Sequence, residues 1–121
     1  MSFTILVCDD SVVARKQVVR CLSSAFDATI LQAKNGVEAL GVLSNHQVDL
    51  LCLDLTMPEL DGVGVLQAVK SQVIETFVVV ISADIQPEMK ARVEQLGAIS
   101  FIEKPVKPDV LLSVLHTYGL R

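Results

Sequence analysis

The chain has 121 residues, 51% of them apolar and 20% charged, with a formal net charge of −4. That length supports one domain with a buried core, and the apolar content excludes a disordered chain. The acidic balance, with no block of Lys or Arg, argues against direct binding to nucleic acid or to an anionic membrane, since both need a basic footprint.

The first apolar run, FTILVC (3–8), reads as a strand that stops at two adjacent acids, Asp9 and Asp10. An amphipathic stretch follows from about Val12 to Ala25, with Ala14, Val18, Cys21, Leu22 and Ala25 on its inward face. ATILQA (28–33) is the second strand, ending before Lys34. Asn35 then caps a second helix, with Glu38 three positions on as in a capping box. VDLLCL (48–53) is the third strand and ends in Asp54. A third helix starts after LDG (60–62) and carries Val63, Leu66 and Val69, with Gly64 weakening it. FVVVI (77–81) is the fourth strand and ends in Ser82. The fourth helix begins near Pro87 and stops at Gly97. ISFIE (99–103) is the fifth strand and runs into Lys104. A fifth helix begins near Pro108, with Leu111, Leu112, Leu115 and Tyr118 as its inner stripe.

Strand and helix alternating through short connections imply an α/β fold, a parallel sheet wound by right-handed crossovers with five helices on its two faces. Strands buried on both faces are apolar without alternation. Runs one, three and four fit that and belong in the middle, while the mixed second run and the short fifth run belong at the edges. The order 2-1-3-4-5 satisfies both demands; it is an established, flavodoxin-like doubly wound order. No repeat, low-complexity segment or linker interrupts it, so a single domain over residues 1–121 is expected.

Three cysteines, Cys8, Cys21 and Cys52, form no CxxC pair and read as reduced, buried thiols. His46 and His116 stand apart, without a ligand cluster. No apolar stretch approaches transmembrane length, and MSFTIL lacks the basic start of a signal peptide. A cytoplasmic protein is expected.

In such sheets the site lies outside the carboxyl ends of the strands, at the switch point between strands one and three. Strand one ends in Asp9 and Asp10, strand three in Asp54, strand four in Ser82 and strand five in Lys104. Each has an ordinary explanation alone: an acid before a helix is a cap, an Asp before MPELDG is a turn residue, a Lys after a strand is solvated. Their coincidence on one edge of one sheet outweighs those explanations. Three carboxylates and one ammonium leave about −2 in a small site and would titrate as a coupled set. A divalent cation cancels that charge, and oxygen-only ligands with water filling the rest point to Mg²⁺. A free carboxylate beside such a metal suggests phosphoryl chemistry, with Asp54 attacking phosphorus and Lys104 and Ser82 stabilising the phosphoryl oxygens.

VCDDS, NGVEAL, LDLTMPELDG, VISAD and FIEKP occur in order and in register with the five strands. Together they resemble the receiver domains of two-component response regulators over essentially the full chain, closest in style to the small chemotaxis-type regulators. The resemblance implies that Asp54 is the phosphoacceptor and that Asp10 ligates Mg²⁺ directly and Asp9 through water. It implies that Asp54 and the backbone carbonyl of Thr56 complete the protein ligands, and that Ser82 and Lys104 are the conserved hydroxyl and lysine. It implies a cis bond before Pro105 and a switch in which Ser82 moves toward the phosphoryl group and the ring of Phe101 turns inward. With Phe rather than Tyr there, that switch works by packing alone. Thr56 and Asp84 are the positions that tune phosphoryl lifetime in this family; neither blocks water well, so an unremarkable decay is expected.

The expected function is a phosphorylation-controlled switch. A histidine kinase or histidine phosphotransfer protein, in a two-component system or phosphorelay, would donate the phosphoryl group beside helix one, where Val12, Arg15 and Val19 are read as outward contacts. A downstream protein would be bound through the surface of helix four, strand five and helix five, around Ile85, Lys90, Phe101 and Glu103. Such a domain catalyses its own phosphorylation and dephosphorylation and turns over no independent substrate. Two alternatives stand beside it: a receiver that acts as an adaptor without phosphorylation, and an aspartyl-phosphate phosphatase or phosphotransferase. The last needs an acid two residues after the nucleophile, where this chain has Thr56. A flavin-binding protein is excluded, because Asp9 and Asp10 would repel a phosphate from the first loop. The chain fits a whole single-domain regulator and the first domain of a longer one equally.

Overall fold

The computed structural model describes residues 3–83 and 86–119. Five strands, β1 (Phe3–Cys8), β2 (Ala28–Ala33), β3 (Leu50–Leu53), β4 (Phe77–Ser82) and β5 (Ser100–Glu103), form one parallel sheet. Their order is β2-β1-β3-β4-β5, as the patterning implied. Between them lie α1 (Val12–Ala25), α2 (Gly36–Asn45), α3 (Gly62–Ser71), α4 (Pro87–Gln95) and α5 (Pro108–Thr117).

The central strands are unbroken apolar runs because both of their faces are covered. Leu6 and Cys8 of β1, Leu51 and Leu53 of β3, and Val78 and Val80 of β4 pack in one layer with Ala39, Leu43, Val65, Leu66 and Val93 of α2, α3 and α4. The alternate residues, Ile5 and Val7, Leu50 and Cys52, Val79 and Ile81, pack in the other layer with Val18, Cys21 and Leu22 of α1 and Leu111 and Leu115 of α5. Cys8 and Cys52 therefore face opposite layers although their strands are neighbours. All three cysteines are free and buried.

Three details depart from the sequence pattern. Strand β3 starts at Leu50 rather than Val48 because Asp49 turns back to β1: its N–H donates to the Thr4 carbonyl (2.8 Å) and its carboxylate accepts from the Thr4 N–H (2.8 Å). On α1, Ala25 is exposed, and the half-buried Phe26 beyond the helix end packs on the core instead. On α5, Tyr118 is 45% exposed and lies at the rim, its hydroxyl donating to the Ile99 carbonyl (2.9 Å), while Val114 takes the inner place.

Helix ends follow local chemistry. Asn35 caps α2 by accepting from the Glu38 N–H (2.8 Å), while the Glu38 carboxylate accepts from the Lys34 N–H (3.0 Å), one residue further out than a capping box requires. Helices α3 and α4 end in the same paired bonds, Ile74 N–H to Val69 and Val73 N–H to Lys70 in one, Ala98 N–H to Val93 and Gly97 N–H to Glu94 in the other. The left-handed position is Gly97 (φ 102°) in α4 but Val73 (φ 54°) in α3, where a β-branched side chain is strained. Among the described residues, no helix is long and apolar enough to cross a membrane.

Candidate functional site

The register brings the strand ends to one edge. Cys8 pairs with Leu53, Leu53 with Val80, and Ser82 with Glu103, so residues 9, 54, 82 and 104 all follow at the same end of the sheet. Asp9, Asp54 and Ser82 are buried there, Lys104 is half-buried and Asp10 is exposed. One carboxylate oxygen from each of Asp9, Asp10 and Asp54 lies within 4.8 Å of the other two. The Lys104 ammonium meets Asp9 Oδ2 at 2.7 Å and Asp54 Oδ1 at 3.4 Å. The Lys104 backbone N–H donates to the Ser82 carbonyl (2.9 Å), which joins the ends of β4 and β5, and the Lys104–Pro105 bond is cis.

Local bonds aim the two buried acids. Asp9 Oδ1 accepts from the Ser11 N–H (2.9 Å), and Ser11 Oγ in turn accepts from the Ala14 N–H (3.2 Å) as the cap of α1. Asp54 Oδ1 accepts from the Leu55 N–H (2.9 Å) and is the oxygen that meets Lys104 (3.4 Å). Behind Asp54 the chain returns closely: the Gly62 N–H donates to the Leu55 carbonyl (2.9 Å), and a Cβ at Gly62 would collide with the Asp54 carbonyl oxygen. Only glycine lets α3 start this near the strand end. Asp61 caps that helix by accepting from the Gly64 N–H (2.9 Å).

The charges are coupled. Burial raises the Asp54 carboxyl above its ordinary range and the Asp9 charge raises it further, while Lys104 and the Leu55 N–H oppose them. For Lys104, burial works against the ammonium, yet the hydrogen bond it donates to Asp9 and the charges of Asp54 and Asp9 hold it above the usual lysine value. The cup thus carries two more negative charges than positive ones. Its donors are all carboxylate oxygens, the set a hard divalent cation takes. Mg²⁺ fits these residues.

The site residues read from the sequence thus separate into two groups. Asp9, Asp10, Asp54 and Lys104 converge, with Ser82 buried at the same edge. Thr56 is exposed in the loop after Asp54. Phe101 is half-buried against the layer of α2, α3 and α4, with the Lys90 ammonium 5.5 Å from its ring centre. Asp84 and Ile85 lie outside the described residues. One reading is corrected: Arg15 is not an outward contact. Its Nη1 donates to the Asp9 carbonyl (2.7 Å) and its Nε to Gln32 Oε1 (2.9 Å). Val19 is half-buried on the core as well, whereas Val12 is 52% exposed. No sequence signal marked Arg15, since its position on the helix fits an outward and an inward path of the long side chain alike.

Comparison with known proteins gives one answer. A family model described as the response regulator receiver domain matches residues 5–116. The chain is 31% identical over 116 residues to the chemotaxis protein CheY of Bacillus subtilis, covering 96% of this chain and 97% of that protein. It is 41% identical over 103 residues to a protein-glutamate methylesterase/protein-glutamine glutaminase of Myxococcus xanthus, covering 84% of this chain but 30% of that longer protein. Among solved structures, CheY of Borrelia burgdorferi in a complex with CheX, BeF3 and Mg superposes with a TM-score of 0.90 at 30% identity, over 98% of this chain and 90% of that one.

Proposed function

The chain belongs to the response regulator receiver family of two-component signalling, and on that premise we propose that it is a phosphoacceptor switched by Mg²⁺-dependent phosphorylation of Asp54. The observation that carries this is the placement of Asp54: buried at the end of β3, with Lys104 beside it and a carboxylate oxygen within 4.8 Å of those of Asp9 and Asp10. Asp9, Asp10, Asp54 and the Thr56 carbonyl would hold the metal, and bound Mg²⁺ would neutralise the carboxylate and phosphoryl oxygens at the moment of transfer.

In the transfer, the Asp54 oxygen that does not bond the Leu55 N–H attacks phosphorus. The phosphorus–nitrogen bond of a phosphohistidine donor breaks, and the imidazole leaves with the bonding pair. The Lys104 ammonium, already 3.4 Å from Asp54, stabilises the charge that builds on the phosphoryl oxygens, and the Ser82 hydroxyl takes another of them. Phosphorylation need bias only a two-state equilibrium of a few kcal/mol, about what one new charged contact supplies. The readout is Phe101 of β5, which packs against the core beside α4 and would move inward as Ser82 is drawn to the phosphoryl group. The donor is a histidine kinase or phosphotransfer protein, and the output is a protein bound at α4, β5 and α5. We assign the receiver domain to residues 1–121, the location to the cytoplasm, and no independent substrate to the site.

Intact mass spectrometry with a small-molecule phosphodonor tests this. One added phosphoryl group is expected in the wild type with Mg²⁺, none without it, and none in Asp54→Asn. A gain that survives in Asp54→Asn would overturn the assignment.

A further inference from the structure

Asp9 is held at four points. Its N–H donates to the Ala33 carbonyl (3.1 Å), Oδ1 accepts from Ser11, Oδ2 pairs with Lys104, and its carbonyl accepts from Arg15 Nη1 (2.7 Å). The last bond differs from the others, because it grips the peptide that leads to Asp10. A peptide unit is planar, so fixing the direction of the Asp9 carbonyl fixes where the Asp10 Cα lies. Asp10 is the exposed acid of the three, and the bonds that order Asp9 and Asp54 do not reach its carboxylate.

The guanidinium is itself braced, since Nε donates to Gln32 Oε1 on the edge strand β2 (2.9 Å). A planar fork can hold two acceptors at a fixed angle; a lysine ammonium on a flexible stem cannot. We propose that Arg15, braced by Gln32, is a positioning residue that sets the Asp9–Asp10 peptide so that Asp10 joins Asp9 and Asp54 around the metal. This rests on the Mg²⁺ reading given above.

Charge and position have opposite signs here, which makes the idea testable. As a bare cation beside a cation site, Arg15 would weaken Mg²⁺ binding, and removing it would strengthen binding. As a positioning residue it supports binding, and outer-shell partners of metal ligands change affinity by roughly 10- to 100-fold.

The test is calorimetric titration of Mg²⁺ into the unphosphorylated chain, with unfolding midpoints in metal-free buffer recorded alongside. Arg15→Ala is expected to bind at least about tenfold more weakly. Arg15→Lys should also lose affinity although it keeps the charge, and Gln32→Ala should show a smaller loss with the guanidinium intact. Lys16→Ala, which removes a neighbouring exposed charge, should not weaken binding. Unchanged or tighter binding in Arg15→Ala, or wild-type affinity in Arg15→Lys, overturns the proposal and leaves the Mg²⁺ reading standing. A wild type that takes up no Mg²⁺ overturns the Mg²⁺ reading and this proposal with it. If Arg15→Ala does not fold, Gln32→Ala decides: wild-type affinity there overturns the proposal.

Discussion

Without metal, the cup is held together by Lys104, so Lys104→Met is an informative perturbation. The substitution keeps an unbranched side chain one atom shorter and removes the charge that meets Asp9 at 2.7 Å and Asp54 at 3.4 Å. Both carboxylates are nearly buried, at 4% and 5% exposure, and would be left facing each other. Removing one partner of a buried pair costs about 3 to 5 kcal/mol. The lysine side chain is 21% exposed, so water reaches the site and the low end, about 3 kcal/mol, applies. A domain of this size is stable by about 5 to 15 kcal/mol, so the variant stays folded but visibly weaker. In urea, with a slope of about 1 to 3 kcal/mol per molar, the midpoint should fall by roughly 1 to 3 M. Mg²⁺ stabilises both proteins, so it should narrow the gap by the difference between their binding free energies. The variant lacks the ammonium that competes for Asp9 and Asp54, so it should bind Mg²⁺ more tightly, and each tenfold of tighter binding narrows the gap at saturating Mg²⁺ by about 1.4 kcal/mol. The assay is urea unfolding followed by far-ultraviolet circular dichroism, with and without Mg²⁺. A metal-free cost below about 0.5 kcal/mol, the range of ordinary surface substitutions, would show that Lys104 does not balance the cup. Weaker Mg²⁺ binding in the variant would refute the competition between ammonium and metal.

Other substitutions probe the frame around the site. Gly62→Ala puts a methyl group into the Asp54 carbonyl and within 2.8 Å of the Leu55 Cα, so a loss of about 2 kcal/mol and weaker Mg²⁺ binding are expected. Gly41→Ala, with open space around it, should instead gain about 0.5 to 1 kcal/mol. Val73→Asn should raise stability by about 1 kcal/mol, because Asn tolerates the left-handed backbone that Val73 strains; an unchanged urea midpoint would contradict it. Burial pushes the Cys52 thiol up to about 12. The folded chain therefore keeps that proton while the unfolded chain releases it from an ordinary value of 9.0, and stability present below 9 is lost as pH rises toward 12. Cys52→Ala should remove about 1.4 kcal/mol per pH unit from the alkaline slope, whatever it costs at neutral pH.

Element order, strand polarity and sheet order were readable from apolar runs and turn residues, because burial on two faces leaves an unmistakable mark on β1, β3 and β4. The strand-end acids were readable for the same reason: a doubly wound sheet sends its strand ends to one edge. Where the pattern misled, the cause was local. Ala25 and Tyr118 fit their helix stripes by spacing, but each lies where its helix runs out and the neighbouring surface ends. Asp49 shortened β3 by a bond to Thr4 that lies 45 residues away in the chain.

The convergence of the strand-end residues was thus readable from one-dimensional facts: which residue types follow which apolar runs. Its working geometry was not. That Lys104 sits closer to Asp9 than to Asp54, that Gly62 must be bare because α3 starts against the Asp54 carbonyl, and that Arg15 turns in to the Asp9 peptide depend on distances between segments far apart in the chain. Periodicity reports which face of an element is covered. It carries no information on where a long, flexible charged side chain finds its partner, and only packing in three dimensions decides that.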